Sequence, residues 1–185
     1  MYLFFSSVLV GSKVNTKQSK RNIVISDKGR QRQIRSNMAL SQRIPILLCG
    51  KMLSTGVQVT ELLKPEFEVI QFINSFDYAK AEFGNLLAGK PPQTPSANDV
   101  GTHDYTQPLR AIMFGRGYSF DQVNELYDMF KGQAGRPIAW IVGDPEFKLP
   151  LPLPPDYAVI ATENTKMGFR RWEEAGGNKE EIVLY

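Results

Sequence analysis

The sequence has one cysteine, Cys49, and one histidine, His103. A lone thiol forms neither an intramolecular disulfide nor a thiolate-rich zinc site, which fits a reducing compartment. A lone imidazole excludes a His-cluster centre, so no metal site is expected. Long hydrophobic runs are missing too. The apolar amino-terminal pieces, Tyr2-Leu3-Phe4-Phe5 and Val8-Leu9-Val10, fall well short of the roughly 20 residues that cross a bilayer. Low-complexity stretches and internal repeats beyond one recurring strand-helix unit are also lacking.

Acidic residues are nearly absent from one region only. Residues 1–37 carry eight basic side chains against Asp27, a net of +7, whereas residues 38–185 hold 14 basic and 18 acidic residues, a net of −4. The overall +3 therefore hides a mildly acidic body, and nucleic acid is not an expected partner because the globular part offers no basic patch. The basic segment, residues 1–41, reads as a disordered tail, or as sequence upstream of a start at Met38. The alternative is a mitochondrial presequence, since the segment is Arg-rich, contains serines and is poor in acids. Cytoplasmic location is expected in the first case and mitochondrial in the second.

What is present begins at Gln42. The run Ile44-Pro45-Ile46-Leu47-Leu48-Cys49 is a buried strand, broken by Gly50 and followed past Ser54-Thr55-Gly56 by a helix with Val57, Val59, Leu62 and Leu63 as its apolar positions. Glu68 to Ile73 forms a second strand, rich in β-formers. Asn74-Ser75 then caps a helix whose Ala79, Phe83, Leu86 and Leu87 define one face. Leu109 to Phe114 is a third strand; Ser119 and Gln122 make a capping box before a helix bearing Val123, Leu126, Tyr127 and Phe130. Pro137 to Val142 is the fourth strand. A helix over about Asp156 to Ala175 has weaker periodicity, and Ile182 to Tyr185 is an edge strand or docked tail. The pattern specifies one three-layer α/β domain over residues 42–185, Rossmann-like or flavodoxin-like, with a mainly parallel sheet of four or five strands.

Three strands end in glycine, at Gly50, Gly115 and Gly143, and parallel strands put these ends on one edge, where such sheets bind ligands. Gly50, Ser54, Thr55 and Gly56 form a candidate anion cradle at a helix start, although Ser54 and Thr55 also suit simple capping. The spacing is neither G-x-G-x-x-G nor a P-loop. Gly115-Arg116-Gly117 is a second candidate, with Arg116 able to fork onto a carboxylate or phosphate, or else a tight turn. Asp144 stands at the same edge. The Lys90–Pro108 stretch is a loop of about 20 residues, a length that suggests a functional lid or a disordered insertion. It carries His103, Asp104 and Tyr105, and His103 or Tyr105 is the candidate proton-transfer group. Cys49 and Trp140 read as core.

Ser54-Thr55-Gly56 resembles the Ser-Thr-Gly phosphate loop of flavodoxins over those three residues. From about Arg43 to Asp144 the βαβ pattern resembles small single-domain Rossmann-like proteins of filamentous fungi. The layout of Leu62-Leu63-Lys64-Pro65-Glu66-Phe67-Glu68-Val69-Ile70, the helix ending Leu86-Leu87-Ala88-Gly89-Lys90 and the strand before Gly115 is similar to the substrate domain of D-2-hydroxyacid dehydrogenases, without their dinucleotide domain. The resemblances imply accessory or secondary metabolism. The resulting expectation is a small-molecule-binding protein, an isomerase, cyclase or lyase acting without metal through positioning and proton transfer, as a homodimer or monomer. The alternatives are an NAD(P)- or FMN-binding oxidoreductase and a non-catalytic interaction module.

Overall fold

The computed structural model describes residues 43–148, 150 and 152–185; the basic amino-terminal segment, with both of its readings, lies outside them. Nine elements alternate along the described chain: β1 (Ile44–Cys49), α1 (Leu53–Leu63), β2 (Phe67–Ile73), α2 (Phe76–Leu87), β3 (Ala111–Phe114), α3 (Phe120–Phe130), β4 (Ala139–Val142), α4 (Tyr157–Glu174) and β5 (Glu181–Leu184). The strands form a single parallel sheet in the order β2-β1-β3-β4-β5. The fold is thus the expected three-layer α/β arrangement, and its strand order is the flavodoxin-like one.

Period-two alternation sends neighbouring residues of each strand into opposite helix layers. Leu47, Cys49, Ile112, Phe114, Trp140 and Val142 pack beneath α2 and α3. Ile46, Leu48, Ala111, Met113, Ala139 and Ile141 face α1 and α4. The second layer uses small strand residues so that Phe169 and Trp172 of α4 fit against the sheet, both 1% exposed. The weak apolar periodicity of α4 has a physical cause: its buried face includes Thr162 and Thr165. Their hydroxyls donate to the Ala158 and Ala161 carbonyls at 2.7 and 3.0 Å, so they are buried without unmet polarity.

Two local expectations change. Helix α1 buries Gly56, Val59 and Leu63, leaving Val57 and Leu62 40–45% exposed. Ser54 and Thr55 do not cap it either. Met52, extended at φ −96° and ψ 115°, holds the cap position with no side-chain hydrogen bond, and Ser54 and Thr55 already lie in the first turn. By contrast, Ser119 and Gln122 close the expected capping box on α3. Ser119→Ala is expected to lower stability by about 1 kcal/mol in a urea melt.

The Lys90–Pro108 segment is not a lid over the glycine-ended edge. It runs along the outer edge of β2, where the Phe72 N–H donates to the Val100 carbonyl, and the Thr102 and His103 N–H groups donate to the Val69 and Ile70 carbonyls, each at 2.9 Å. An otherwise open strand edge needs these partners. Buried polar side chains fix the strap in place. The Glu82 carboxylate, 2% exposed, accepts from the Gln93 and Thr94 N–H groups and from Asn85 Nδ2 at 2.8 to 3.0 Å. Gln71, fully buried, accepts from the Tyr105 hydroxyl and donates to Tyr78, whose hydroxyl donates to the Thr94 carbonyl.

Candidate functional site

The carboxyl ends of β1, β3 and β4 surround a cavity of about 620 Å³, within the range of small-molecule sites. Gly50, Gly115 and Gly143 all line it. It sits where the chain passes from β1 outward to β2 on one side and to β3 on the other, the topological switch point of such sheets. Its apolar wall includes Leu48, Val59, Phe72, Phe147, Leu153 and Ala161.

The glycines have separate structural reasons. A Cβ on Gly56 would lie 2.5 Å from Phe72 Cζ, so this residue lets α1 approach the sheet closely. On Gly143 a Cβ would meet Arg116 Nε at 2.3 Å, and on Gly117 it would meet Lys51 Cγ at 2.5 Å. The turns are therefore shaped around two cationic side chains.

Those two cations are used differently. The Arg116 guanidinium donates to the carbonyls of Asp144 and of Phe147, the latter at 2.9 Å. It also lies 5.3 and 5.5 Å from the Phe147 and Tyr185 ring centroids. It holds the turn after β4 in place, so the expected role as a free anion fork meets a guanidinium already engaged. Lys51 forms no ion pair among the described residues. Its ammonium stands 5.1 Å from the Tyr118 ring centroid at the cavity wall.

The remaining polar side chains of the lining are a thiol and hydroxyls. Burial pushes the Cys49 thiol well above its ordinary pKa, and also raises the Tyr118 and Tyr185 phenols. Tyr118 and Tyr185 spend their hydroxyl protons on the Ile73 and Phe114 carbonyls, at 3.3 and 3.0 Å. Tyr157 differs. Burial raises its pKa, the Arg116 backbone N–H and charge oppose the rise, and no described carbonyl takes its proton. At the start of α1, the N–H groups of Leu53, Ser54 and Thr55 have no partner among the described residues. Among the described residues no carboxylate side chain and no imidazole lines the cavity. The lining can therefore donate hydrogen bonds and offer positive charge, but has no group that accepts a proton near neutral pH.

The structure brings together Gly50, Thr55, Gly115 and Arg116 from the residues singled out in the sequence. Ser54 stands beside them in the first turn of α1 with its side chain outside the lining. Asp144 turns away, its carboxylate accepting from the Glu146 N–H at 2.9 Å. His103 and Tyr105 lie elsewhere, on the strap, with rings stacked at 6.2 Å. His103 adopts φ +57°, and its Nε2 is buried without a partner among the described residues. The hydroxyl of Tyr105 is committed to Gln71. Sequence reasoning missed Lys51 and Tyr157. Lys51 directly follows a strand-ending glycine, a usable signal; Tyr157 opens a helix after a proline-rich connector and carries none.

These features define a flavodoxin-like three-layer α/β protein with a donor-rich cavity at its switch point. "Kojic acid related protein 6" of Aspergillus oryzae (strain ATCC 42149 / RIB 40) is 33% identical to the chain over 125 residues, which is 66% of this chain and 74% of that protein. The chain belongs to the family of that fungal protein. No protein-family model matches the chain, and no solved structure matches it. Among the described residues no helix is long and apolar enough to cross a membrane.

Proposed function

We propose that the protein binds a small organic molecule of fungal accessory metabolism in the switch-point cavity and acts on it by positioning and charge stabilisation, as an isomerase, cyclase or lyase. The observation that carries this reading is the cavity itself: apolar walls, with two cationic side chains and several hydroxyl groups among the residues that line it. Donors fixed in a water-poor pocket stabilise negative charge that develops on a bound carbonyl or enol oxygen. Tyr157, whose hydroxyl proton has no acceptor among the described residues, takes the place of His103 and Tyr105 as the side chain that would share a proton with the ligand. The name of the fungal relative ties that protein to kojic acid, which supports the metabolic setting and supplies a first probe.

The test is calorimetric titration with kojic acid and with fractionated fungal metabolite extracts, comparing the native protein with Ala161→Trp. Ala161 lines the cavity from α4, and an indole there fills the space. Saturable binding that weakens at least about tenfold in the variant is expected, the loss that follows when one well-placed apolar contact set is removed. Binding that ignores the substitution overturns the reading. A second reading, an oxidoreductase using FMN or NAD(P), is favoured by the strand order, since flavodoxin holds FMN at this switch point. The free N–H groups of α1 suit a phosphate. A saturable fluorescence change on titration with FMN or NADPH would select it.

A further inference from the structure

We infer that the ligand is a planar organic acid, its carboxylate or equally compact anion held by Lys51 and its ring lodged among the cavity's aromatic side chains. The inference rests on the small-molecule reading above and names the ligand class for that site.

Three observations converge. First, the body is acidic, with 14 basic and 18 acidic residues after position 37, yet among the described residues the cavity is lined by Lys51 and Arg116 and by no carboxylate side chain. In a mildly negative protein a cavity with this sign is a local reversal of charge, and such a reversal concentrates anions. Second, the two cations are held differently, and only Lys51 is without a backbone anchor. Arg116 is anchored through Nη1 to two backbone carbonyls of the turn after β4, whereas Lys51 has neither a hydrogen-bond nor a carboxylate partner among the described residues. Its Cβ and Cγ lie against Gly117, where even a methyl group would intrude, and its ammonium stands over the Tyr118 ring at the cavity wall. The unpartnered N–H groups opening α1 follow it directly in the chain and add donors of the same sign. Third, the walls are rich in rings: Phe72, Tyr118, Phe120, Phe147, Tyr157 and Tyr185. Aromatic walls favour a flat apolar ligand body over a flexible or heavily hydroxylated one.

The probes are matched pairs that differ in charge alone: 4-hydroxybenzoate with 4-hydroxybenzamide, and 2-naphthoate with 2-naphthamide. They are titrated calorimetrically against the native protein, Lys51→Met, Lys51→Arg and Ala161→Trp. Each acid is expected to bind at least about tenfold more tightly than its amide, as a charge-assisted hydrogen bond to a held cation requires. That preference should fall below about threefold in Lys51→Met and persist in Lys51→Arg, because charge and not packing sets it. Ala161→Trp should weaken both members of each pair.

Acid and amide binding equally, with both lost in Ala161→Trp, overturns the acid class while leaving the small-molecule reading in place. So does binding of kojic acid alone. A preference that survives Lys51→Met overturns the assignment to Lys51. Failure of every ligand to bind overturns this inference and the small-molecule reading together.

Discussion

Glu82→Gln is expected to lower the stability of the domain by about 2 to 3 kcal/mol at pH 7, and the deficit should shrink as the pH is lowered. Burial alone would push the Glu82 carboxyl up. Hydrogen bonds from Asn85, Gln93 and Thr94 outweigh it and hold the pKa at about 2, below the ordinary 4.5. A carboxyl whose folded-state pKa is depressed stabilises the fold fully above its unfolded value, and the contribution is lost as pH falls through the folded value. The window here is therefore about pH 4.5 down to about 2. The glutamine amide retains one acceptor oxygen and places an N–H₂ group where two backbone donors converge, leaving one of them unmet in a buried place. Urea melts of native and variant protein between pH 7 and pH 2.5 check this: the gap in unfolding free energy should be widest at pH 7 and narrow steadily below about pH 4.5. A gap independent of pH would mean that Glu82 contributes by packing rather than by charge. Hydrogen exchange at Phe72, Thr102 and His103 should rise in the variant, because Glu82 fixes one end of the strap whose other end pairs with β2.

The same network shows why the long loop was misread from sequence. Its composition, rich in Pro, Ser, Thr and Asn with few large apolar residues, marks a segment with no core of its own. Composition does not say which surface it covers. That was decided by Gln71 and Glu82, two polar residues embedded in otherwise apolar strand and helix patterns. Taken singly, each reads as an interruption of the pattern; only the fold shows that both interruptions face the same edge. The strand and helix layers were legible because period-two and helical spacing are local. So was the gathering of Gly50, Gly115 and Gly143 at one edge, which follows from parallel pairing and right-handed crossovers without knowledge of strand order.

The chemistry of the edge was less legible, for a related reason. A side chain's partners are set by what the turn opposite presents. Arg116 between two glycines has the sequence of an anion site, but the turn after β4 presents two carbonyls to its Nη1 and ties the guanidinium to that turn. Lys51, next to the strand-ending Gly50, keeps its charge available because no acidic side chain pairs with it among the described residues. Asp144, the acid nearest in sequence to that edge, closes its own turn on the Glu146 N–H. The sign of the cavity thus depends on two local hydrogen-bonding choices that residue identity alone does not reveal.

Gly56→Val joins the fold to the site and is expected to be as costly. In a helix interior, replacing glycine normally gains several tenths of a kcal/mol through reduced chain entropy. Here the first added carbon would stand 2.5 to 2.8 Å from three atoms of the Phe72 ring. Phe72 is 1% exposed and packs with the α1 and α4 layer, so it cannot retreat into the core. Overpacking of this kind costs about 1 to 3 kcal/mol, and the branched valine adds two methyl groups to the conflict. A net loss of about 2 to 3 kcal/mol in urea midpoint analysis is expected. The strain has one outlet. Phe72 also lines the cavity, so its ring should be displaced into the ligand space, and the variant should bind cavity ligands at least about tenfold less tightly even where it remains folded. Ser119→Ala provides the comparison, since it weakens a helix start without adding volume and should leave the Phe72 ring in place. If Gly56→Val lost stability but kept full ligand affinity, Phe72 would have moved another way, and the helix would be yielding instead of the ring. A crystal structure of the variant would then show α1 shifted outward from β1 and β2, with the unpartnered N–H groups of its first turn carried away from the cavity.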